Sequence, residues 1–254
     1  MTASARLELF AVSGFPLVRA GDDVAELIAR GLARAGQQLE SGDIVAIAQK
    51  IVSKAENRVV DLRTIRPAPE ARELAAEVGK DPRLVQVILA ESRRVVRKRV
   101  NLLIMQHRLG FVMANAGVDH SNVGGEDRVL LLPADPDGSA DRIRDGLARL
   151  TGVAPAVVIT DSFGRPWRRG SCGVAVGAAG LPALIDMRGM PDLFGRKLEV
   201  TQVGLADEVA AAASLLQGQA DEGQPVVVLR GLRWAAPEVA AASLIRPEPE
   251  DLFR

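Results

Sequence analysis

NLLIMQHRLGFVMAN, residues 101–115, holds two apolar runs, NLLIMQ and GFVMAN, joined by a short polar link with Gly110. Runs this short, bounded by polar residues and a glycine, read as the two strands of a hairpin. Elsewhere the chain alternates short apolar runs with segments of helical period. Towards the N-terminus, DPRLVQVILAESRRVVR (81–97) and PEARELAAEVG (69–79) read as helices, and Asp81-Pro82 supplies a cap followed by a first-turn proline. Further out lie the strand DIVAIAQ (43–49), which ends at Lys50, the helix GDDVAELIARGLARAG (21–36) and the strand LELFAV (7–12). In that first helix Asp22 is the expected N-cap and Gly36 the expected stop. Towards the C-terminus come the strand VLLLP (129–133), a helix from Asp137 to Leu150, and the strand AVVIT (156–160) running into Asp161. The Gly-rich stretch GVAVGAAG (173–180) predicts close backbone packing. The helix LADEVAAAASLLQG (205–218) and the strand PVVVLRG (225–231) complete the pattern. Strands that alternate with helices, together with strands that pair as hairpins, predict an α+β fold with mixed sheets rather than a purely doubly wound one. No repeat, linker or composition break divides residues 1–254, so one domain is expected, with two closely packed subdomains as the variant.

The 254 residues carry 32 Lys+Arg and 32 Asp+Glu, a formal net charge of zero. That balance excludes a protein whose main task is coating nucleic acid or an anionic membrane. Aromatics are 3 %, with no Tyr, which argues against a base-stacking platform. The one Cys, Cys172, forms no internal disulfide and reads as a small buried residue. The N-terminus is interrupted by Glu8, so no signal peptide is expected. The charge-free run 173–185 is too short and too rich in Gly and Pro to span a bilayer. A cytoplasmic protein is expected.

GxxxxGK[ST] is absent, the glycine spacing of GVAVGAAG does not fit a dinucleotide fingerprint, and Ser171 and Cys172 lack a nucleophile-elbow context. What remains is four polar clusters: SGFPLV (13–18), AQKIVSKAENR (48–58), NAGVDHSNVGG (115–125) and TDSFGRPWRRG (160–170). Ligand sites of α/β proteins gather where strands end. Asp119 and Asp161, on separate loops, are oxygen donors of the kind Mg²⁺ or Mn²⁺ takes, and Ser162 could add a hydroxyl. Each residue alone has an ordinary reading: an Asp after a strand is as a rule a cap or turn residue, and a lone lysine a surface one. Together, with Lys50 and Arg165, Arg168 and Arg169 nearby in sequence, they suit a metal-bridged nucleoside triphosphate. SRRVVRKR (92–99) could bind phosphate, but its spacing reads as the solvated face of a helix. His120 is open between a substrate contact and a local hydrogen bond.

At these clusters the sequence resembles the coenzyme F420-0:L-glutamate ligases, or F420-0 γ-glutamyl ligases. The matching stretches are GFPLVRAGDD, GDIVAIAQKIVSKAENR, KDPRLVQVILAES, GFVMANAGVDHSNV, VLLLPADPDGSADRIR, TDSFGRPWRRG and LLQGQADEGQPVVVLRGL. GVDxSN and DxFGRPWR are long, specific strings, and the likeness covers nearly the whole chain. The resemblance implies the mixed α+β fold of that family and the addition of L-glutamate to F420-0 through γ-linked amide bonds. It implies GTP as co-substrate and an acyl-phosphate intermediate. Two divalent metal sites (Mg²⁺ or Mn²⁺), a K⁺ ion and a homodimer are also implied. Carried over by motif, GTP would meet Phe15, Pro16, Leu17, Val18, Val45, Ala46, Lys50 and Asn122. The loop Gln217, Gly218, Gln219, Ala220, Asp221, Glu222, Gly223 and Gln224 would surround it. Asp119 and Asp161 would bind one metal, and Ser162 and Gln219 a second. The family usually has Thr at Ser162 and Arg at His120, and often Met at Gln217. Ending at Arg254, the chain resembles the stand-alone form without a C-terminal reductase domain. Phe163 and Trp167 are the expected flat surface for a deazaflavin ring. Two other classes stay in view: a metal-dependent phosphatase or nucleotide hydrolase using the same residues, and a non-enzymatic nucleotide-binding protein.

Overall fold

The computed structural model describes residues 6–252; the first five residues of the stretch read as lacking a leader lie outside it. In chain order the elements are β1 (Glu8–Ala11), α1 (Val24–Arg34), β2 (Ile44–Ala48), α2 (Gln49–Ala55), β3 (Val59–Asp61), α3 (Pro69–Val78), α4 (Pro82–Ala90) and β4 (Ser92–Arg99). They continue with β5 (Leu102–His107), β6 (Val112–Ala114), β7 (Arg128–Leu130), α5 (Pro136–Thr151), β8 (Ala156–Arg165), β9 (Arg168–Ala179), β10 (Ile185–Asp186), β11 (Gln202–Val203), α6 (Leu205–Gln217) and β12 (Val226–Arg230). The fold is α+β with mixed and antiparallel sheets, as the hairpin and helix patterns predict.

The principal sheet has the order β1-β12-β2-β8-β9. β2 pairs parallel with β8 and antiparallel with β12, so the sheet is mixed. Side chains of β2 alternate between two cores. Val45 and Ile47 join Ile28 and Leu32 of α1 and Ile143 and Leu147 of α5. Ile44 and Ala46 join Leu205, Val209 and Ala213 of α6. Burial on both faces explains why these strands are unbroken apolar runs in the sequence. A third core, under α3, α4, β5 and β7, belongs to the sheet β4-β5-β6 and the β3-β7 pair. Among the described residues no helix is long and apolar enough to cross a membrane.

The hairpin at 101–115 forms as expected: the His107 and Gly110 N–H groups donate across its turn to Phe111 and His107, both at 2.8 Å. Gly36 stops α1, with φ +64° and the paired bonds Gly36 N to Ala33 O and Gln37 N to Leu32 O. The cap, however, is Asp23, which accepts from Glu26 N at 3.1 Å, while Asp22 closes the preceding turn on Arg19 N at 2.7 Å.

A larger correction concerns 92–99. This basic run is not a helix face but β4, an edge strand paired antiparallel with β5 through two register shifts. α4 stops at Ala90 because the Glu91 side chain turns inward to the Arg58, His107 and Arg108 side chains. Downstream, the β-branched Val95 pairs with Met105, and the flanking cations lie along a sheet edge, where charge discourages pairing with another chain.

GVAVGAAG lies in β9 up to Ala179, and Gly173 and Gly177 do mark close packing. A Cβ on Gly173 would stand 2.2 Å from the Ala210 carbonyl oxygen of α6, and one on Gly177 2.4 Å from that of Pro136 at the start of α5. Cys172 beside them is half-buried rather than buried.

Candidate functional site

The sequence stages Lys50 by ending a strand and starting a helix without a gap. β2 finishes at Ala48 and α2, absent from the pattern reading, begins at Gln49. Lys50 therefore stands in the first turn of a short helix at the carboxyl end of a central strand. Its Nζ lies 2.7 Å from Asp119 Oδ2 and also donates to the Ser121 hydroxyl and, at 3.4 Å, to the Ser121 carbonyl. Asp119 is fixed through its backbone, which exchanges bonds of 3.0 and 2.8 Å with Leu130. Its carboxylate accepts from the Ser121 N–H at 2.8 Å and from the Ser121 hydroxyl at 2.9 Å. Burial would push the Asp119 carboxyl up, but the bonds from Lys50 and Ser121 outweigh it and hold the group below its usual value.

Asp161 behaves differently. It does not follow a strand but sits inside β8, opposite Val174 of β9, in a hairpin that continues to its tip at Arg165 and Arg168. Its side chain points where Lys50, Asp119 and the buried Gln49 converge. Burial pushes it up to about 7, against hydrogen bonds from the Ser162 N–H and Gln49 and the charge of Lys50; the Asp119 charge pushes the same way. It is an acid in want of positive charge.

Gln49, Lys50 and Asp161 open onto a cleft of about 1050 Å³, while Asp119 backs Lys50 without lining it. Phe15, Pro16, Leu17 and Val18 line it, as do Lys50, Asn122, Asp161, Ser162 and every residue from Gln217 to Gln224. The sequence clusters at 13–18, 48–58, 115–125 and 160–170 are thus brought together with the 217–224 loop. Asn122 Nδ2 ties two of them by donating to the Ala220 carbonyl at 3.2 Å. Gln217 accepts from Thr160 Oγ1 at 3.1 Å and donates to the Pro225 carbonyl at 3.3 Å, which anchors the loop to β8.

Other expected residues stand elsewhere. Val45 and Ala46 are fully buried in β2, with their backbones paired on both sides, so the cleft begins at Ala48 rather than at them. Arg165, Arg168 and Arg169 sit on the exposed hairpin tip and do not line the cleft. Phe163 packs edge-on against Phe111, with 5.9 Å between ring centres, and belongs to the core; Trp167 is exposed at the tip with φ +59°. His120 is exposed and off the cleft wall. Pattern reading missed Gln49, Lys54, Arg19 and Arg128, all on the cleft. The signal for Lys54 was its spacing of four from Lys50, which matters only once 49–55 is known to be helical.

The donor set suits a hard divalent cation. Asp161, Ser162 and Gln219 line the cleft; Asp119 does not line it, but its carboxylate is held 2.7 Å from the lining Lys50, so two carboxylates and two neutral oxygen groups are available there. The raised Asp161 is relieved by any added cation. Among the described residues no three His, Cys, Asp or Glu side chains cluster, so a metal here would keep positions open for water and substrate oxygen.

The scaffold and cleft define a class: an α+β protein whose neighbouring central strands β2 and β8 deliver a lysine and an acid to a large cleft bordered by the 217–224 loop. Comparison with known proteins narrows it. The family described as F420-0:gamma-glutamyl ligase matches residues 14–231, and the chain belongs to it. It is 49 % identical over 250 residues to the coenzyme F420:L-glutamate ligase of Methanothermobacter thermautotrophicus, covering 98 % of this chain and 99 % of that one. The protein of the same name from Methanopyrus kandleri is 49 % identical over 242 residues, 93 % of each chain. That from Archaeoglobus fulgidus is 43 % identical over 249, covering 98 % and 97 %.

Proposed function

We propose that this chain is a GTP- and divalent-metal-dependent ligase that adds L-glutamate to coenzyme F420-0 through γ-linked amide bonds, acting as a homodimer in coenzyme F420 biosynthesis. The observation that carries the reading is the convergence of Asp119 and Asp161 on Lys50 at the edge of one cleft, on a chain of this family.

The chemistry asked of the site is activation of a carboxylate, whose oxide is too poor a leaving group for direct attack by an amine. An acceptor carboxylate oxygen attacks the γ-phosphorus of GTP. The bond to the β–γ bridging oxygen breaks, GDP leaves and an acyl phosphate forms. The glutamate amine, after losing a proton, attacks the acyl carbon, and the C–O bond breaks to release phosphate and leave the amide. Such phosphoryl transfer asks for positioning and charge neutralisation more than for a protein nucleophile. Lys50, locked by Asp119 and Ser121, offers a fixed positive charge to phosphate oxygens at no cost of ordering. Asn122 and the Gln217–Gln224 loop close the nucleotide's side of the cleft. Asp119 and Asp161, with Ser162 and Gln219, would hold divalent ions, which supply charge neutralisation at the phosphate oxygens when bound.

The test is incubation with GTP, Mn²⁺, F420-0 and glutamate, followed by mass spectrometry. A product heavier by one or more glutamyl units is expected. GTP consumption without such a product would replace the reading with a nucleotide hydrolase, and GTP binding without turnover with a scaffold.

A further inference from the structure

A set of cations on the cleft wall has no part in the chemistry above. Lys50, Lys54 and Asn57 recur along α2 and its end at intervals of four and three, so all three line the cleft. Lys50 is answered by Asp119. Lys54 is half-buried, and Lys50 repels it. The first loop carries Arg19 to the same place, because the Gly21 N–H donates to the Ala55 carbonyl at the end of α2 at 2.9 Å. Arg128 enters from β7, directly opposite Asp61 of β3. Asp61 is already engaged by Arg63, through bonds of 2.5 and 2.9 Å. Among the described residues no ion pair or side-chain hydrogen bond holds Lys54, Arg19 or Arg128. A lysine in the last turn of a helix complements the helix dipole. That accounts for a cation at position 54, but not for two arginines brought to the same wall from separate elements.

Arg128 feels the Asp61 carboxylate without an ion pair to it, and Lys54 and Arg19 have no carboxylate partner among the described residues, so this wall offers positive charge to an anion. The cleft, at about 1050 Å³, reaches the top of the ~300–1,000 Å³ range of small-molecule sites and has room for a second ligand beside a nucleotide. This wall is built by α2, β3 and β7 rather than by the 217–224 loop, but Lys50 and the Phe15–Val18 segment before Arg19 line the same cleft, so the nucleotide's phosphates are the competing occupant.

We propose that Lys54, Arg128 and Arg19 form the subsite for the phosphodiester of the F420-0 acceptor, fixing that substrate so that its carboxylate faces Lys50. This rests on the ligase reading for the acceptor's identity, whereas the anion site rests on the wall itself. Two anion sources, acceptor phosphodiester and GTP phosphate, share this chemistry, and steady-state kinetics separate them. Lys54→Met and Arg128→Gln are each expected to raise KM for F420-0 by about tenfold or more, the scale of one lost charge-assisted bond. KM for GTP and for glutamate should stay within about twofold, and Lys54→Arg should restore most of the affinity. A rise in KM for GTP or glutamate instead, or no change in either variant, overturns the subsite. Calorimetric titration of F420-0 into the protein with GDP gives a readout free of turnover. If wild type makes no glutamylated product yet binds F420-0 about tenfold more tightly than Lys54→Met, the ligase reading fails and the subsite stands. Equal binding by the two, or none by wild type, ends the subsite proposal.

Discussion

Lys50, in a helix, and Asp119, in a loop 69 residues further on, meet at 2.7 Å between Nζ and Oδ2, and Ser121 bonds to both. The lysine is thereby pinned at the mouth of a central strand with its charge facing the cleft. Lys50→Met should leave the fold intact and cut kcat by about 10²- to 10³-fold, the scale seen when one preorganised charge-stabilising donor is removed. The same change should raise the pKa of Asp119, since burial, the largest influence on it, would lose its main opponent. Near-wild-type kcat in a folded Lys50→Met protein would remove Lys50 from the mechanism.

Asp161 should make the metal-free protein less stable as the pH rises. Its carboxyl is held near 7 in the folded chain against 3.8 for the ordinary group. An acid whose folded value is raised carries no penalty below its unfolded value. The penalty grows as pH rises through the interval and is complete above about 7. In EDTA, Asp161→Asn should therefore melt at or above wild type at pH 8 and match it near pH 4. Added Mn²⁺ should raise the wild-type melting temperature at pH 8 and leave the variant unmoved. Equal stabilisation of both proteins by Mn²⁺ would sink the assignment of Asp161 as a ligand.

The sequence made the central sheet legible because β2, β8 and β12 are buried on both faces and so appear as unbroken apolar runs. It showed the acids of the site because Asp119 and Asp161 sit in polar stretches next to such runs. It hid α2, a seven-residue helix whose Ala48 cap makes no side-chain bond and whose boundary with β2 has no turn residue. With α2 hidden, Lys54 had no face to share with Lys50. β4 was misread for a related reason: Val95 and the arginines fit a helical spacing, and only pairing with β5 decides otherwise. The tip arginines were misplaced because β8 does not stop at Asp161. Strand length past a polar residue is set by the partner strand, and β9 lies beyond the reach of local pattern.

Glu91, at the end of α4, closes the third core and should be one of its main electrostatic anchors. Its carboxylate is 2.9 Å from Arg58, 3.3 Å from Arg108 and 3.5 Å from the buried His107. Burial alone would raise it, but the nearby His107 ring and the charges of Arg108 and Arg58 bring it below the usual value. A depressed folded pKa contributes stability above the unfolded value, about 4.5, and that contribution is lost as pH falls through the folded one. Glu91→Gln should cost about 3 kcal/mol at pH 7, as when one partner of a buried ion pair is removed. Denaturant melts at a series of pH values should show the deficit shrinking below about pH 4.5. A deficit that stays constant to acid pH would mean that shape rather than charge holds Glu91 in place.

Gly173 links stability to the site. It lies in β9, lines the cleft, and lets the strand press against α6, where a Cβ would stand 2.2 Å from the Ala210 carbonyl oxygen and 3.0 Å from Ser214 Cβ. The 2.2 Å contact is with backbone in mid-helix, so no rotamer change relieves it. Gly173→Ala must push α6 off the sheet, and α6 leads directly into Gln217 and the loop roofing the cleft. Overpacking of this kind costs about 1–3 kcal/mol, which for a chain of this length is about 2–4 °C in Tm per kcal/mol. The loop should shift with the helix, so KM for GTP should rise along with the fall in Tm. Gly177→Ala makes a comparable clash with Pro136 of α5, away from that loop, and should lower Tm with little effect on KM. If the two variants lose stability alike and neither changes KM, the position of α6 does not govern the nucleotide's side of the cleft.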